Sequence, residues 1–449
     1  MLNKILNKIN SGSDLTVQVR KNIIGNLILK GINVLISLMY VPLTLHYLNS
    51  TRYGIWMTLT SIVAWMGILD IGLGNGLRNK LAEVLANGDK ITARKYVSTA
   101  YVTLSIIVLV VLLIFILANS FIDWSYILNT SESYNQELRA VALIVFGLFG
   151  VKFVLNLISM ILAANQMTAL SSIYEVIGNS IGLLLIWGLT QTNNSSLITF
   201  GVATMLTPVI VYFLGTIIFF SKKYSFLKPT FKLAKVKYVK DIMGLGIQFF
   251  FLQFTTIFVY QTSNILISHF FSPAEVTPYN VVFKYFSIPT MTWTIVMIPL
   301  WSAFTKALAL KDINWIKKIF LRLNSFMLIT FVIIVFMALA ATKLILLWTS
   351  GQVIAKPTLV IIFAIYTILY SWNVVYAIFL NGVSKIKMQL VIGVIAAVIH
   401  IPLSFFFIKF LKMGSEGIVL SMTICLLIFA IAGPIQTFKL IKKWEKEFS

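Results

Sequence analysis

The chain has 449 residues, a mean hydropathy of +0.92, 59% hydrophobic residues and only 11% charged ones. A water-soluble fold of this length cannot hide that much apolar surface. The apolar runs are also continuous rather than alternating in ~10-residue segments, which excludes an outer-membrane β-barrel. The formal net charge of +22 would suit nucleic acid, but its distribution points to membrane topology instead. The single cysteine, Cys425, lies within an apolar run and gives no support to disulfides or cysteine-ligated metals.

At the N-terminus, Leu2, Ile5, Leu6 and Ile9 fall at helical spacing with Lys4 and Lys8 off that face. Residues 1–21 therefore suit a cytoplasmic amphipathic segment on an anionic leaflet, with a flexible polar tail as the alternative. Twelve apolar stretches follow, near 22–48, 53–80, 96–118, 139–164, 170–190, 197–221, 241–270, 278–304, 320–342, 357–381, 388–410 and 415–438. Each is long enough to cross a bilayer as a helix. With the N-terminus in the cytoplasm, cytoplasmic segments hold 27 of the 36 Lys and Arg and external segments hold six. This positive-inside bias puts both termini in the cytoplasm.

The longest basic loop lies at 222–240, after the sixth span. It divides the chain into a six-helix lobe at 22–221 and a second at 241–438, with a cytoplasmic tail at 439–449. The halves look weakly repeated: Lys80, Asp89 and Lys95 after span two correspond to Lys306, Asp312 and Lys318 after span eight. Two parallel six-helix lobes around a central cavity is a common transporter plan.

In span one, Asn22, Asn26, Lys30, Asn33, Ser37, Tyr40 and Thr44 fall on one helical face. Such a stripe suits a helix lining a hydrated cavity; polar helix packing is the alternative. Span two ends in DIGLGNGLRNK. Gly72 and Gly76 share a face, a seam for close helix approach, while Gly74 on the other side is expected to permit bending. Spacing is G-x-G-x-G, which matches neither a dinucleotide loop nor a P-loop. Asp70 and Lys30 both sit ~12 Å from the cytoplasmic end at ~1.5 Å per residue, so an ion pair between them is expected. It is either a structural register pin or part of substrate or proton handling.

Lys152 in span four and Glu175 in span five are further membrane charges, less well matched in depth. The middle of span seven is polar, with Gln253, Tyr260 and Asn264 suited to sugar hydroxyls or to interhelical hydrogen bonds. Span eight carries Lys284, and Pro289 and Pro299 predict bending there. His400 in span eleven is expected to be a hydrogen-bonded packing residue. The external loop at 119–138 holds Asp123, Glu132 and Glu137 with no evident partner. Lys30, Arg78, Lys152 and Lys284 are the candidate cavity cations, chemically suited to a diphosphate group. No nucleotide, metal or nucleophile motif occurs, so no catalytic residue, metal or cofactor is expected.

The stretch YGIWMTLTSIVAW followed by GILDIGLGNGLRNKLAEVLANGD resembles the second-helix signature of Wzx-type bacterial polysaccharide flippases. These belong to the multidrug/oligosaccharidyl-lipid/polysaccharide exporter superfamily. Length, span count, mid-chain basic loop and half-to-half repeat are similar across the whole chain. The resemblance implies a MATE-like all-α fold with spans one, two, seven and eight lining a central cavity. It implies alternating access that carries undecaprenyl-diphosphate-linked oligosaccharide to the outer leaflet of the bacterial cytoplasmic membrane. It further implies coupling to H+ or Na+, with a polysaccharide polymerase and a chain-length regulator as possible partners. Asp70 and Glu175 are then candidates for ion coupling. A cation-coupled multidrug exporter is the alternative, and a membrane enzyme of polysaccharide assembly a more distant one.

Overall fold

The first helix is too long for one membrane pass. α1 (Asp14–Ala64) has 51 residues, ~76 Å at ~1.5 Å per residue, against a hydrocarbon core ~30 Å thick. It breaks at Asn49, where φ is 62° and ψ 174°. Asparagine tolerates this left-handed φ better than other non-glycine residues, and the break is the turn between spans one and two. A computed structural model describes the backbone of residues 14–448 except 71, 166, 193–194 and 222–223. The side chains of 14–23, 86, 244–249, 251–253, 256–257, 295, 298–299, 302, 306, 309 and 448 also fall outside the description. The amphipathic segment expected at residues 2–9 lies outside the described residues.

Span two does not continue as one helix to residue 80. A 3-10 turn occupies Trp65–Asp70, and Gly72 then takes φ 78° at the start of α2 (Leu73–Ala86). Glycine adopts that conformation without steric cost, so the bend sits at Gly72, not at Gly74. Gly74 instead donates its backbone N–H to the Asp70 carboxylate over 2.8 Å. A Cβ on Gly76 would collide with the backbone carbonyl of Ile242, so Gly76 is the residue of close approach.

The remaining long elements among the described residues are helices. α3 is Lys90–Asn119, α4 Trp124–Leu128, α5 Asn135–Leu155, α6 Leu157–Ala164, α7 Thr168–Leu189 and α8 Leu197–Ser221. α9 is Val236–Phe270, α10 Pro273–Ala309, α11 Ile313–Trp348, α12 Pro357–Gly382, α13 Lys387–Lys409 and α14 Ser415–Phe448. Nine stretches of the described residues are long and apolar enough to cross a membrane, and one of these contains the Asn49 break. α9 and α10, with 35 and 37 residues, are long enough as well. Counting both arms of α1 recovers the twelve expected spans. The protein is therefore an all-α multi-pass membrane protein.

The repeat is visible in hydrogen bonds. Before α3, Asp89 accepts from the Thr92 backbone N–H at 2.9 Å; before α11, Asp312 accepts from the Trp315 N–H at 2.9 Å. The same ladder surrounds both caps: Gly88 to Leu85 and Lys311 to Leu308, then Asp89 to Val84 and Asp312 to Ala307. Both pre-cap residues take positive φ, 74° at Gly88 and 58° at Lys311. The corresponding aspartates thus hold one turn type in the two halves.

The chain folds as two compact units, Met1–Asn49 with Ile62–Gln253, and Ser50–Ser61 with Phe254–Ser449. The division falls within α9, past the basic 222–240 segment. Unit 1 is centred on Leu77, Leu81, Val97, Ile158, Ile161 and Ile242; unit 2 on Trp293, Phe304, Phe320, Tyr376 and Phe379. In a bilayer such cores gain from van der Waals packing rather than from leaving water. The outer arm of α1 enters unit 2 by close packing, because Gly54 leaves room for the Pro273 carbonyl. Thr277 also donates to the Ser50 carbonyl at 2.6 Å.

Two acids of the 119–138 segment make structural hydrogen bonds. Asp123 accepts from Ser125 Oγ at 2.5 Å and from the Tyr126 N–H at 3.1 Å, capping α4. Glu137 accepts from the Leu197 N–H at 3.1 Å. These acids have structural partners that loop sequence alone does not reveal.

Candidate functional site

The polar stripe of span one is largely engaged by α7. Asn26 donates to Thr168 Oγ1 and accepts from Ser172 Oγ, both at 2.8 Å. Asn33 accepts from Asn179 Nδ2 at 3.0 Å, and Tyr40 donates to the Asn179 carbonyl at 3.1 Å. Gly182 makes room for the Tyr40 hydroxyl. Asn26, Asn33 and Tyr40 thus make polar helix-packing contacts with α7. Lys30 and Ser37 are half-buried on the same face and Thr44 is buried. The Asn22 side chain lies outside the described residues.

Lys30 and Asp70 form no ion pair. Asp70 is half-buried and its carboxylate turns to the amide of Gly74 at the start of α2. A carboxylate here satisfies one of the helix's first orphan N–H groups and favours the positive end of its dipole. Arg78 is exposed one turn further on.

Unit 1 contains a cavity of about 400 Å³, within the size range of small-molecule sites. Lys152, Asn156, Ser159, Ser171, Glu175, Asn179 and Tyr212 give it polar walls, and Phe149, Phe153, Met160 and Pro208 close it. Lys152 and Glu175, whose spacing suggests different depths, share this cavity. α5 and α6 meet at Asn156, whose N–H still bonds the Lys152 carbonyl at 2.8 Å. Lys152 and Glu175 do not close into an ion pair. A lysine and a carboxylate held apart in one wall can meet an anionic group and a hydroxyl or amine of one guest. Asp70 and the lining residue Met160 flank Gly74: a Cβ there would be 3.2 Å from Asp70 Oδ1 and 3.4 Å from Met160 Cγ. The sequence held a signal for this wall, since Ser171, Glu175 and Asn179 recur every fourth residue along α7.

Unit 2 pairs several of its polar residues internally. Asn264 donates to Ser61 Oγ at 2.7 Å, and Asn280 donates to Asn264 Oδ1 at 2.9 Å. Tyr366 donates to the Tyr260 hydroxyl at 2.5 Å. His400 is buried between Ser421, 3.0 Å from Nδ1, and Ser263, 3.5 Å from Nε2. Ser421 Oγ already donates to the His400 carbonyl, so Nδ1 carries the hydrogen in that contact. His400 is thus a buried, hydrogen-bonded packing residue. Lys284 is half-buried in α10, which runs as one helix through the buried Pro289. The side chains of Gln253 and Pro299 lie outside the described residues. Among the described residues no group of three His, Cys, Asp or Glu gathers as a metal site.

Residues 19–305 match the sequence pattern of a family described as polysaccharide biosynthesis protein. The chain belongs to this family. A Salmonella typhi protein named as an O-antigen transporter is 24% identical over 59% of the chain and 60% of its own length. A Yersinia pseudotuberculosis protein named as an O-antigen export protein is 22% identical over 79% of the chain and 81% of its own length. The matched part of the chain thus spans about three fifths of the Salmonella relative. The fold is similar to that of an inward-facing multidrug resistance MATE family transporter of the MOP superfamily. The TM-score is 0.72 at 16% identity, over 93% of this chain and 95% of that one. A MOP superfamily transporter from Pyrococcus furiosus, described as having a binding pocket of reversed polarity, gives a TM-score of 0.65 at 16% identity, over 96% of each chain. The member of the polysaccharide biosynthesis family described here therefore has a MATE-like fold.

Proposed function

We propose that this protein is a flippase. It carries an undecaprenyl-diphosphate-linked oligosaccharide, an O-antigen or capsule repeat unit, from the inner to the outer leaflet of the bacterial cytoplasmic membrane. The reading rests chiefly on family membership together with relatives named for O-antigen transport and export. The membrane charges agree with it: Lys30, Lys152 and Lys284 outnumber Asp70 and Glu175, which suits an anionic cargo. In this reading Lys30, Lys284 and Arg78 attract the diphosphate, and the Lys152–Glu175 cavity takes a polar part of the head group. The lipid tail stays in the bilayer. Two lobes exposing the cargo alternately to each face would complete the cycle. Asp70 or Glu175 exchanging H+ or Na+ is the proposed coupling, and both termini face the cytoplasm. A polysaccharide polymerase and a chain-length regulator are natural partners.

The test is transfer of a fluorescent undecaprenyl-diphosphate saccharide between leaflets of proteoliposomes, read by quenching of the outer leaflet. The expected result is protein-dependent transfer that fails in Lys30→Ala. Absence of transfer together with ethidium efflux from loaded vesicles would replace this reading with the second one, a cation-coupled multidrug exporter. That alternative is favoured by the fold similarity to multidrug MATE transporters.

A further inference from the structure

The basic segment between the two halves is not a free tether. Two 3-10 turns, Ser225–Leu227 and Phe231–Leu233, lead into α9. The segment is fastened along the first turns of α3. Thr230 N–H donates to Ser98 Oγ at 3.1 Å, and Lys235 N–H to Thr99 Oγ1 at 3.2 Å. Arg94 Nε donates to the Lys228 carbonyl at 2.9 Å. Leu227 is fully buried in the unit 1 core, and Tyr238 packs edge-on against Tyr96 with ring centroids 4.9 Å apart.

The depth of these anchors can be read from α3. The helix has 30 residues, ~45 Å at ~1.5 Å per residue, of which about 20 residues fill the hydrocarbon core. Counting from the external end at Asn119, the core begins near Ala100. Exposed large apolar side chains along α3 resume only at Ile106. Residues 94–99, and the strap bound to them, therefore sit at the level of the lipid head groups.

At that level the strap presents an unusual surface. Phe231, Val236 and the neighbouring Ile91 of α3 are 82%, 74% and 69% exposed. Exposed between and beside them are Lys228, Lys232, Lys235, Lys237 and Lys240, and no acid occurs from 222 to 240. Large apolar groups left outside an otherwise well-anchored loop, with lysines interleaved, match a segment lying in a head-group layer. There the apolar groups enter the acyl boundary and the lysines meet anionic phosphates.

We propose that the 224–240 strap is an interfacial anchor that binds anionic phospholipid, with Phe231 and Val236 inserted and the lysines on lipid phosphates. The leaflet concerned is the inner one in the orientation proposed above. Lipid contact itself depends neither on that orientation nor on the cargo.

The experiment uses the lone native cysteine to advantage. The full chain carrying Cys425→Ser and Phe231→Cys is labelled with a solvent-sensitive fluorophore. It is placed in nanodiscs of phosphatidylcholine alone or with an equal part of phosphatidylglycerol, which expose both faces. The expected result is a blue-shifted emission quenched by doxyl-labelled lipid, with quenching roughly twofold stronger when phosphatidylglycerol is present. Changing Lys228, Lys232, Lys235 and Lys237 to Gln should abolish the phosphatidylglycerol dependence while leaving the melting temperature unchanged. A water-like emission unaffected by doxyl lipid overturns the proposal. Equal quenching in both lipid mixtures overturns the anionic preference. Shielding of the label in native membranes but not in nanodiscs points to a protein partner and also overturns it. No outcome depends on transport, so a failed flippase assay and a failed strap assay remain separable.

Discussion

Asn179 Nδ2 donates to Asn33 Oδ1 across 3.0 Å, and the same Asn179 stands in the wall of the Lys152–Glu175 cavity. One residue of α7 thus joins the polar stripe of span one to the charged site of unit 1. Replacing either asparagine by leucine strands its partner's amide. Each single change should cost about 1–3 kcal/mol, and the double change should cost less than the two together. Thermal melting in detergent measures this; strictly additive losses would show that the bond carries no coupling.

Lys30 remains half-buried without Asp70 as its counter-ion. If it meets the cargo diphosphate, Lys30→Ala should abolish surface polysaccharide in a complemented strain at normal protein level, and Lys30→Arg should be milder. Lys30→Met combined with Asp70→Leu should not recover export, because the two side chains are not paired. Recovery in the double variant would contradict the geometry.

Asp70 holds the start of α2 through the Gly74 amide. Asp70→Asn keeps an acceptor and should stay close to the parent in stability, whereas Asp70→Ala should lose about 1 kcal/mol, the usual cost of a removed cap. If export fails in Asp70→Asn while stability holds, the negative charge has a role beyond capping.

The matched turns before α3 and α11 differ at one position, glycine at 88 and lysine at 311, both at positive φ. Lys311→Gly should be neutral or stabilising, and Gly88→Lys should cost about 1–2 kcal/mol. Nothing lies within 4 Å of a Cβ at Gly88, so crowding does not confuse the comparison. Equal stability of Gly88→Lys and the parent would refute the strain argument.

Outside the membrane, the Thr92 hydroxyl beside Asp89 and the Ser125 hydroxyl beside Asp123 hold both carboxyls below the usual carboxylate range. A carboxyl depressed in the folded state contributes stability that is fully present above its unfolded value of about 3.9. That contribution is lost as pH falls through the lower folded value. The melting temperature should therefore be insensitive to these groups near neutrality and decline below about pH 4. Asp89→Asn should flatten part of that decline; an unchanged acid slope would remove Asp89 from the account.

Span number and placement were legible in the chain because a run of about 20 apolar residues has few alternatives to crossing a bilayer. The repeated aspartates were legible too, since Asp89 and Asp312 mark equivalent turns. Partners were not. Asn26, Asn33 and Tyr40 form a stripe in sequence, but only the packed structure shows α7 meeting it. Helical spacing gives depth only along an unbroken helix, and the turn at Gly72 interrupts the stretch between Asp70 and Arg78. Asp123 and Glu137 found backbone donors that leave no mark in composition.

The boundary between the units has a consequence for cutting the gene. A split in the basic loop, where the sequence halves meet, would separate Tyr238 and Ile242 from the first-half residues they pack against. It would equally leave Ser50–Ser61 on the opposite fragment from the rest of its folding unit. Neither fragment would carry a complete interior, so each should be degraded when made alone and survive only when both are made in one cell. Each half of the coding sequence lends the other's folding unit a stretch of helix.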